Sequence, residues 1–153
     1  MRRKYYWEDF KEDGKISLGL KSISKDEIIE FAKKYDPQYF HTNEEKAKES
    51  QFNGLIASGW QTCCIVMKIM CDSYLLETDS MGSPGLENVK WLKPVRPDDT
   101  LEVFRTILET RKSSTKKNLG ILKLLFEAFN QNGELVFSTV TIQMVGRRPK
   151  HAE

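Results

Sequence analysis

The sequence predicts an α+β fold in which a curved antiparallel sheet wraps around one long central helix. Two observations carry this expectation. The segment from Trp60 to Leu76 is apolar around most of its circumference, and everything after Gly85 reads as strands separated by turns. A helix that is apolar on most sides needs protein around it. A sheet with one apolar face needs cover, and curling the sheet around the helix meets both needs.

The elements follow in order. "KISLGL" (Lys15 to Leu20) alternates and predicts a short strand. Ser24, with Glu27 three residues on, has the form of a capping box. Ile28, Phe31, Ala32 and Tyr35 then repeat at helical spacing. Pro37 ends this helix, because it pushes Asp36 out of the helical region. A shorter helix is expected after Thr42 and Asn43, through "EEKAKES". Ser58 is the expected N-cap of the central helix. Beyond it the polar residues Gln61, Lys68 and Asp72 share one narrow stripe, with Thr62 and Ser73 beside it.

After the "GSPG" loop come four segments read as long antiparallel strands. "LENVKWLKPV" is the first, closed by the turn "RPDD". "TLEVFRTILETR" sets Leu101, Val103 and Ile107 on one face, and "LGILKLLFEAF" sets Leu122, Leu124, Phe126 and Ala128 on one face. "NQNG" marks a hairpin. In "ELVFSTVTIQMV", Val136, Val140, Ile142 and Met144 are expected to face one way. Strands of about 10 residues can curl around a helix of about 25 Å. This arrangement is the hotdog architecture. One domain is expected over residues 1–153, with residues 144–153 a loose basic tail.

Composition excludes several classes. Hydrophobic residues make up 39% of the 153 and charged residues 30%, which suits a soluble domain and is too apolar for disorder. A net charge of +2 is too weak a bias for nucleic-acid binding. Cys63, Cys64 and Cys71 sit in one apolar segment without metal-ligand spacing, so neither a metal nor a disulfide is expected. The basic N-terminus has no apolar run behind it, so it is not read as a secretory signal. The central apolar stretch contains Lys68 and Asp72 and is short for a membrane span. A cytoplasmic protein is expected.

One stretch stands out chemically. In "YDPQYFH", Asp36 and His41 are five residues apart. In a continuous helix that spacing turns them about 140° from each other. In a strand it puts them on opposite faces. A loop broken at Pro37 can bring them together. The other histidine, His151, lies in the tail, so imidazole chemistry falls on His41. Asp before Pro at a helix end is also common for purely structural reasons, so these residues alone leave both readings open.

The surrounding sequence resembles the MaoC-like dehydratases, which include (R)-specific enoyl-CoA hydratases. The likeness rests on Asp36, His41, Asn43, Ala47, Phe52 and the "IASG" of Ile56, Ala57, Ser58 and Gly59, and on the later "GSPGLENVKWLKPVRPDDTLEV". It spans roughly residues 5–145. This chain departs from the common pattern at Pro37 and Tyr39, since the proline more often stands two residues before the histidine. Ser58 stands where many members have histidine.

The resemblance implies hydration or dehydration of a 2-enoyl or 3-hydroxyacyl thioester, the chemistry of fatty acid metabolism. Asp36 and His41 would hold one water, and the Gly59 N–H would receive the enolate charge at the helix start. Ser58, Trp60 and Phe40 would meet the substrate. Coenzyme A would enter as part of the substrate, with no separate cofactor. Exposed strand edges predict a homodimer, or a higher homo-oligomer, with the thioester arm between subunits. Two alternatives stay open. A hotdog thioesterase would need a carboxylate on the central helix, where Asp72 is the one acid well inside. A non-catalytic acyl-CoA binder would fit the departures at Tyr39 and Ser58.

Overall fold

The computed structural model describes residues 3–149. The chain runs β1 (Lys15–Ser22), α1 (Lys25–Tyr35), α2 (Tyr39–Thr42), α3 (Glu44–Lys48), α4 (Gly59–Ser73), β2 (Gly85–Trp91), β3 (Thr100–Lys112), β4 (Leu119–Phe129) and β5 (Leu135–Gly146). The strands form one antiparallel sheet in the order β1-β3-β4-β5-β2. The sheet covers α4, which makes this a hotdog fold. Among the described residues no helix is long and apolar enough to cross a membrane.

Local signals place α1 as expected. The Glu27 N–H donates to Ser24 Oγ at 3.2 Å, and the Ser24 N–H donates to the Glu27 carboxylate at 2.8 Å, the reciprocal pair of a capping box. The inward rows of β3 and β4 also follow the alternation. Leu101, Val103 and Ile107 are buried with Leu122, Leu124, Phe126 and Ala128 against Ile65, Val66, Ile69 and Met70 of α4. Burying each larger side chain contributes about 1.5–3 kcal/mol. Arg105 interrupts the β3 row. It is buried 3.3 Å from Asp13, with its guanidinium over the rings of Phe10 and Tyr74.

The expected inward face of β5 is wrong. Thr139, Thr141, Gln143 and Val145 are buried, while Val140, Ile142 and Met144 are only partly covered on the opposite face. The cause is a bulge. Ala128 pairs with Phe137 and Phe129 with Leu135, so Val136 is an extra residue. Val136 and Phe137 are therefore both buried, and every later residue changes face.

Three further expectations need correction. The strand β2 has 7 residues, not about 10, and is broken at Asn88, whose φ of 52° marks a second bulge. Helix α4 is less enclosed than its composition suggests. Gln61 leaves the polar stripe, is buried and donates to the Glu27 carbonyl, while Trp60 and Met67 remain 61% and 48% exposed. The tail is not loose within the described residues. Met144–Gly146 belong to β5, Arg147 lies 3.3 Å from Glu8, and Arg148 lies 2.7 Å from Asp9. His151 lies outside the described residues.

This clasp holds the N-terminal segment against the sheet. The Trp7 ring lies against Gly120 of β4, with the Arg147 guanidinium 5.7 Å away. A methyl group at Gly120 would overlap that ring. Gly120→Ala is expected to lower stability by about 1–3 kcal/mol, as other overpacked sites do. Chemical denaturation should show the loss, and Trp7 fluorescence should move toward that of exposed indole. An unchanged midpoint would contradict this packing.

Candidate active site

The site begins where α1 stops. Asp36 caps the helix, its N–H donating to the Ala32 carbonyl at 2.8 Å. Pro37 cannot extend the helix, and the Gln38 N–H turns back to the Asp36 carbonyl at 2.8 Å. That i to i+2 bond is a three-residue turn centred on Pro37. The Gln38 carbonyl then accepts the His41 N–H at 2.9 Å and opens the single turn of α2. The two side chains that regular structure would separate now converge. His41 Nε2 lies 3.3 Å from Asp36 Oδ2.

The other contacts fix their states. His41 is buried, and its Nδ1 lies 2.7 Å from the Ile56 carbonyl. A carbonyl only accepts, so Nδ1 carries a proton. In the neutral ring Nε2 is therefore an acceptor, and it faces a carboxylate. Two acceptors at this distance need a proton between them. A bridging water, or a proton shared between ring and carboxyl, can supply it.

Asp36 is held on both oxygens. Ser58 Oγ donates to Oδ2 at 2.7 Å, and Gln38 Nε2 donates to Oδ1 at 2.8 Å. Burial pushes the carboxyl pKa up. The Ser58 hydroxyl, the Gln38 amide and the His41 ring outweigh it and hold Asp36 below its ordinary value. Its ionised form is thus favoured at neutral pH.

Ser58 also caps α4, its Oγ accepting the Trp60 N–H at 3.3 Å. Gly59, the first helical residue, keeps an N–H that no carbonyl of its own helix can take. The indole of Trp91 lies on it. A Cβ at Gly59 would come within 2.6 Å of that ring, and Trp91 Nε1 donates to the Gly59 carbonyl at 2.8 Å. Trp60 meets Trp91 edge-on at 5.5 Å. Phe40 stands 4.5 Å from the His41 ring and 5.1 Å from Phe52.

Asp36, His41, Gly59, Trp60 and Phe40 all line one cavity of about 490 Å³. Ser58 does not. It is 0% exposed and stands behind the carboxylate, so the expected substrate contact at Ser58 is not met in this geometry. Of the cavity residues that the sequence reading did not single out, two contact Asp36 or Gly59 directly. Gln38 was legible only as a neighbour of Pro37, and Trp91 only as an aromatic before "LKPV". Among the described residues no group of three or more His, Cys, Asp or Glu could hold a metal ion.

Comparison with known proteins agrees with this fold. The family model of the MaoC-like domain matches residues 11–125. The protein YdeM of Bacillus subtilis (strain 168) is 42% identical over 116 residues, which are 75% of this chain and 80% of YdeM. A mesaconyl-CoA hydratase of Cereibacter sphaeroides is 32% identical over 73 residues, 48% of this chain and 21% of that enzyme. The crystal structure of a MaoC-like dehydratase from Rhodospirillum rubrum superposes with a TM-score of 0.88 at 33% identity, covering 95% of this chain and 99% of that one.

The carboxylate contacts can be tested without an assay of turnover. Ser58→Ala removes one donor and Gln38→Leu the other. Each is expected to raise the Asp36 pKa toward the ordinary value of about 3.9, followed by carboxyl NMR titration. A depressed folded-state pKa stabilises the protein above the unfolded value, and that stability is lost as pH falls through the folded one. Both variants should therefore lose part of the difference in stability between neutral and acid pH. Titration curves identical to the parent would rule out this account.

Proposed function

The chain belongs to the MaoC-like dehydratase family, and from that premise we propose that it hydrates a 2-enoyl thioester and dehydrates the 3-hydroxyacyl product in reverse. The observation that carries the reading is the 3.3 Å approach of His41 Nε2 to Asp36 Oδ2 in the cavity that Gly59 also lines. A water placed off the line between the two acceptors can donate to both. Asp36 accepts one of its protons as the oxygen adds to the β-carbon. The pair then delivers a proton to the α-carbon, so bonds and charges balance over the cycle.

As the oxygen adds, negative charge moves to the thioester carbonyl. The Gly59 N–H supports it, because helix-start donors are unpaired and the helix dipole favours an anion there. Coenzyme A is carried as part of the substrate. Lys93 lines the cavity and is a candidate partner for its phosphates, although Glu134 holds the ammonium in this structure. Arg96 is less available, since its guanidinium donates to the Phe52 carbonyl at 2.6 Å. Thioester hydrolysis by a helix carboxylate is less favoured. Asp72 faces outward and is paired with Lys68.

The active unit is a homodimer in this reading. Edge strand β2 leaves its outer ladder unpaired among the described residues, and Leu86, Trp91 and Leu92 are exposed beside Trp60 and Met67 of α4. Such an edge with an apolar flank suits a second copy. Sedimentation should give a dimer, and Leu86→Lys with Met67→Glu should give a folded monomer. A parent protein that sediments as a monomer at micromolar concentration would overturn this assembly.

Mixing the protein with crotonyl-CoA is expected to bleach the conjugated thioester absorbance. Asp36→Asn and His41→Ala should each lower kcat by about 10²–10⁴, the usual weight of a positioned acid or base. Full activity in Asp36→Asn would sink the assignment.

A further inference from the structure

A second concavity runs beside the first. It is a groove of about 400 Å³ between α4 and the β5–β2 side of the sheet, with Trp60, Met67 and Met70 on its helical wall. Trp60 also lines the catalytic cavity, so the two spaces adjoin. Phe137 of β5 pairs with Trp91 at the cavity and begins the groove floor. Gln143, six residues further, ends that floor about 20 Å away at roughly 3.3 Å per residue.

The floor of this groove is polar. Thr139 and Thr141 donate their hydroxyl protons to the Glu87 and Gly85 carbonyls at 3.3 and 3.5 Å. Gln143 differs from them. Only 6% exposed, it accepts the Tyr74 O–H on Oε1 at 3.1 Å. Its Nε2 has no acceptor among the described residues, and the side chain lines the groove. Tyr74 is a steady donor. Burial, more than any neighbour, pushes its pKa up to about 12, so it keeps its proton at neutral pH. Phe10 packs edge-on at 5.8 Å, and the Arg105 guanidinium lies 5.2 Å from the ring. The fixed hydroxyl thus holds Oε1 and leaves the amide N–H₂ as the free donor on a floor whose two threonines are already bonded.

We propose that this groove takes the far end of the acyl chain, and that Gln143 selects chains ending in an oxygen acceptor, such as a carboxylate or carbonyl, over chains ending in a methyl group. This rests on the enoyl-thioester reading of the adjoining cavity. A plain alkyl end leaves the amide unpaired, and an acceptor end satisfies it. A second copy seated on β2 would roof the groove.

The test separates binding from turnover. Saturated dodecanoyl- and hexadecanoyl-CoA are titrated against their ω-carboxylated counterparts, with the fluorescence of Trp60 and Trp91 as readout. The wild type should bind the carboxylated member of at least one pair about fivefold more tightly, the weight of one hydrogen bond. Gln143→Glu keeps an acceptor for Tyr74 and replaces the N–H₂ with an oxygen. It should reverse the preference while leaving butanoyl-CoA, too short to reach it, unchanged. Tighter binding of the methyl-ended member at both lengths, or the same preference in Gln143→Glu, would overturn the proposal. If the preference appears and crotonyl-CoA is not hydrated, the proposed reaction fails and the groove assignment stands.

Discussion

The hydrogen bond from Ser58 to Asp36 is the contact on which the site depends. It joins the end of α1 to the start of α4 across 22 residues of chain. One oxygen atom serves both ends. Its proton goes to the carboxylate, and its lone pair takes the Trp60 N–H in the first turn of the central helix. The sheet grips α4 through Ile65, Val66 and Ile69, so the carboxylate inherits its position from the core. A bond at the rim could not do this, because exposed pairs trade places with water at little cost. Complete burial of Ser58 keeps water away from the shared oxygen.

The pairing of Asp36 with His41 was partly legible. The sequence shows that helix and strand both separate Asp36 from His41, and that Pro37 breaks the helix between them. It does not show what closes the gap. The structure assigns that to Gln38. Its N–H, its carbonyl and its side-chain amide contact Asp36, His41 and Asp36 in turn. A residue that acts chiefly through its backbone leaves little trace in a sequence, since almost any side chain has the same N–H and C=O. Gly59 was legible as a helix start. Its second reason for being glycine, the indole of Trp91 lying on it, depends on a strand 32 residues away.

The fold divides in the same way. Elements set by local chemistry were readable: the Ser24 and Glu27 cap, the end of α1, and the inward rows of β3 and β4. Features set by distant partners were not. The clasp of Arg147 and Arg148 on Glu8 and Asp9 joins residues about 140 positions apart. From sequence alone these are four ordinary surface charges. Gln61 gave a similar error. Helical spacing put it with Lys68 and Asp72, but α1 lies over that end of the helix and supplies the Glu27 carbonyl.

The error in β5 is the most informative, because one inserted residue links fold to chemistry. Without the bulge at Val136, period-two alternation would turn Val140, Ile142 and Met144 toward α4 and give the groove an aliphatic floor. With it, those residues face outward and Thr139, Thr141 and Gln143 face in. Burying three polar side chains beside a core costs stability unless each finds partners. Two of them find carbonyls of β2, whose own bulge at Asn88 lies beside this pairing. The third finds half of what it needs in Tyr74. A sheet selected for packing alone would have kept the aliphatic register, which the sequence already contains. The chain instead holds those apolar residues at a partly exposed face and sets a polar side chain on the groove floor, where the proposed acceptor at the chain end would meet it.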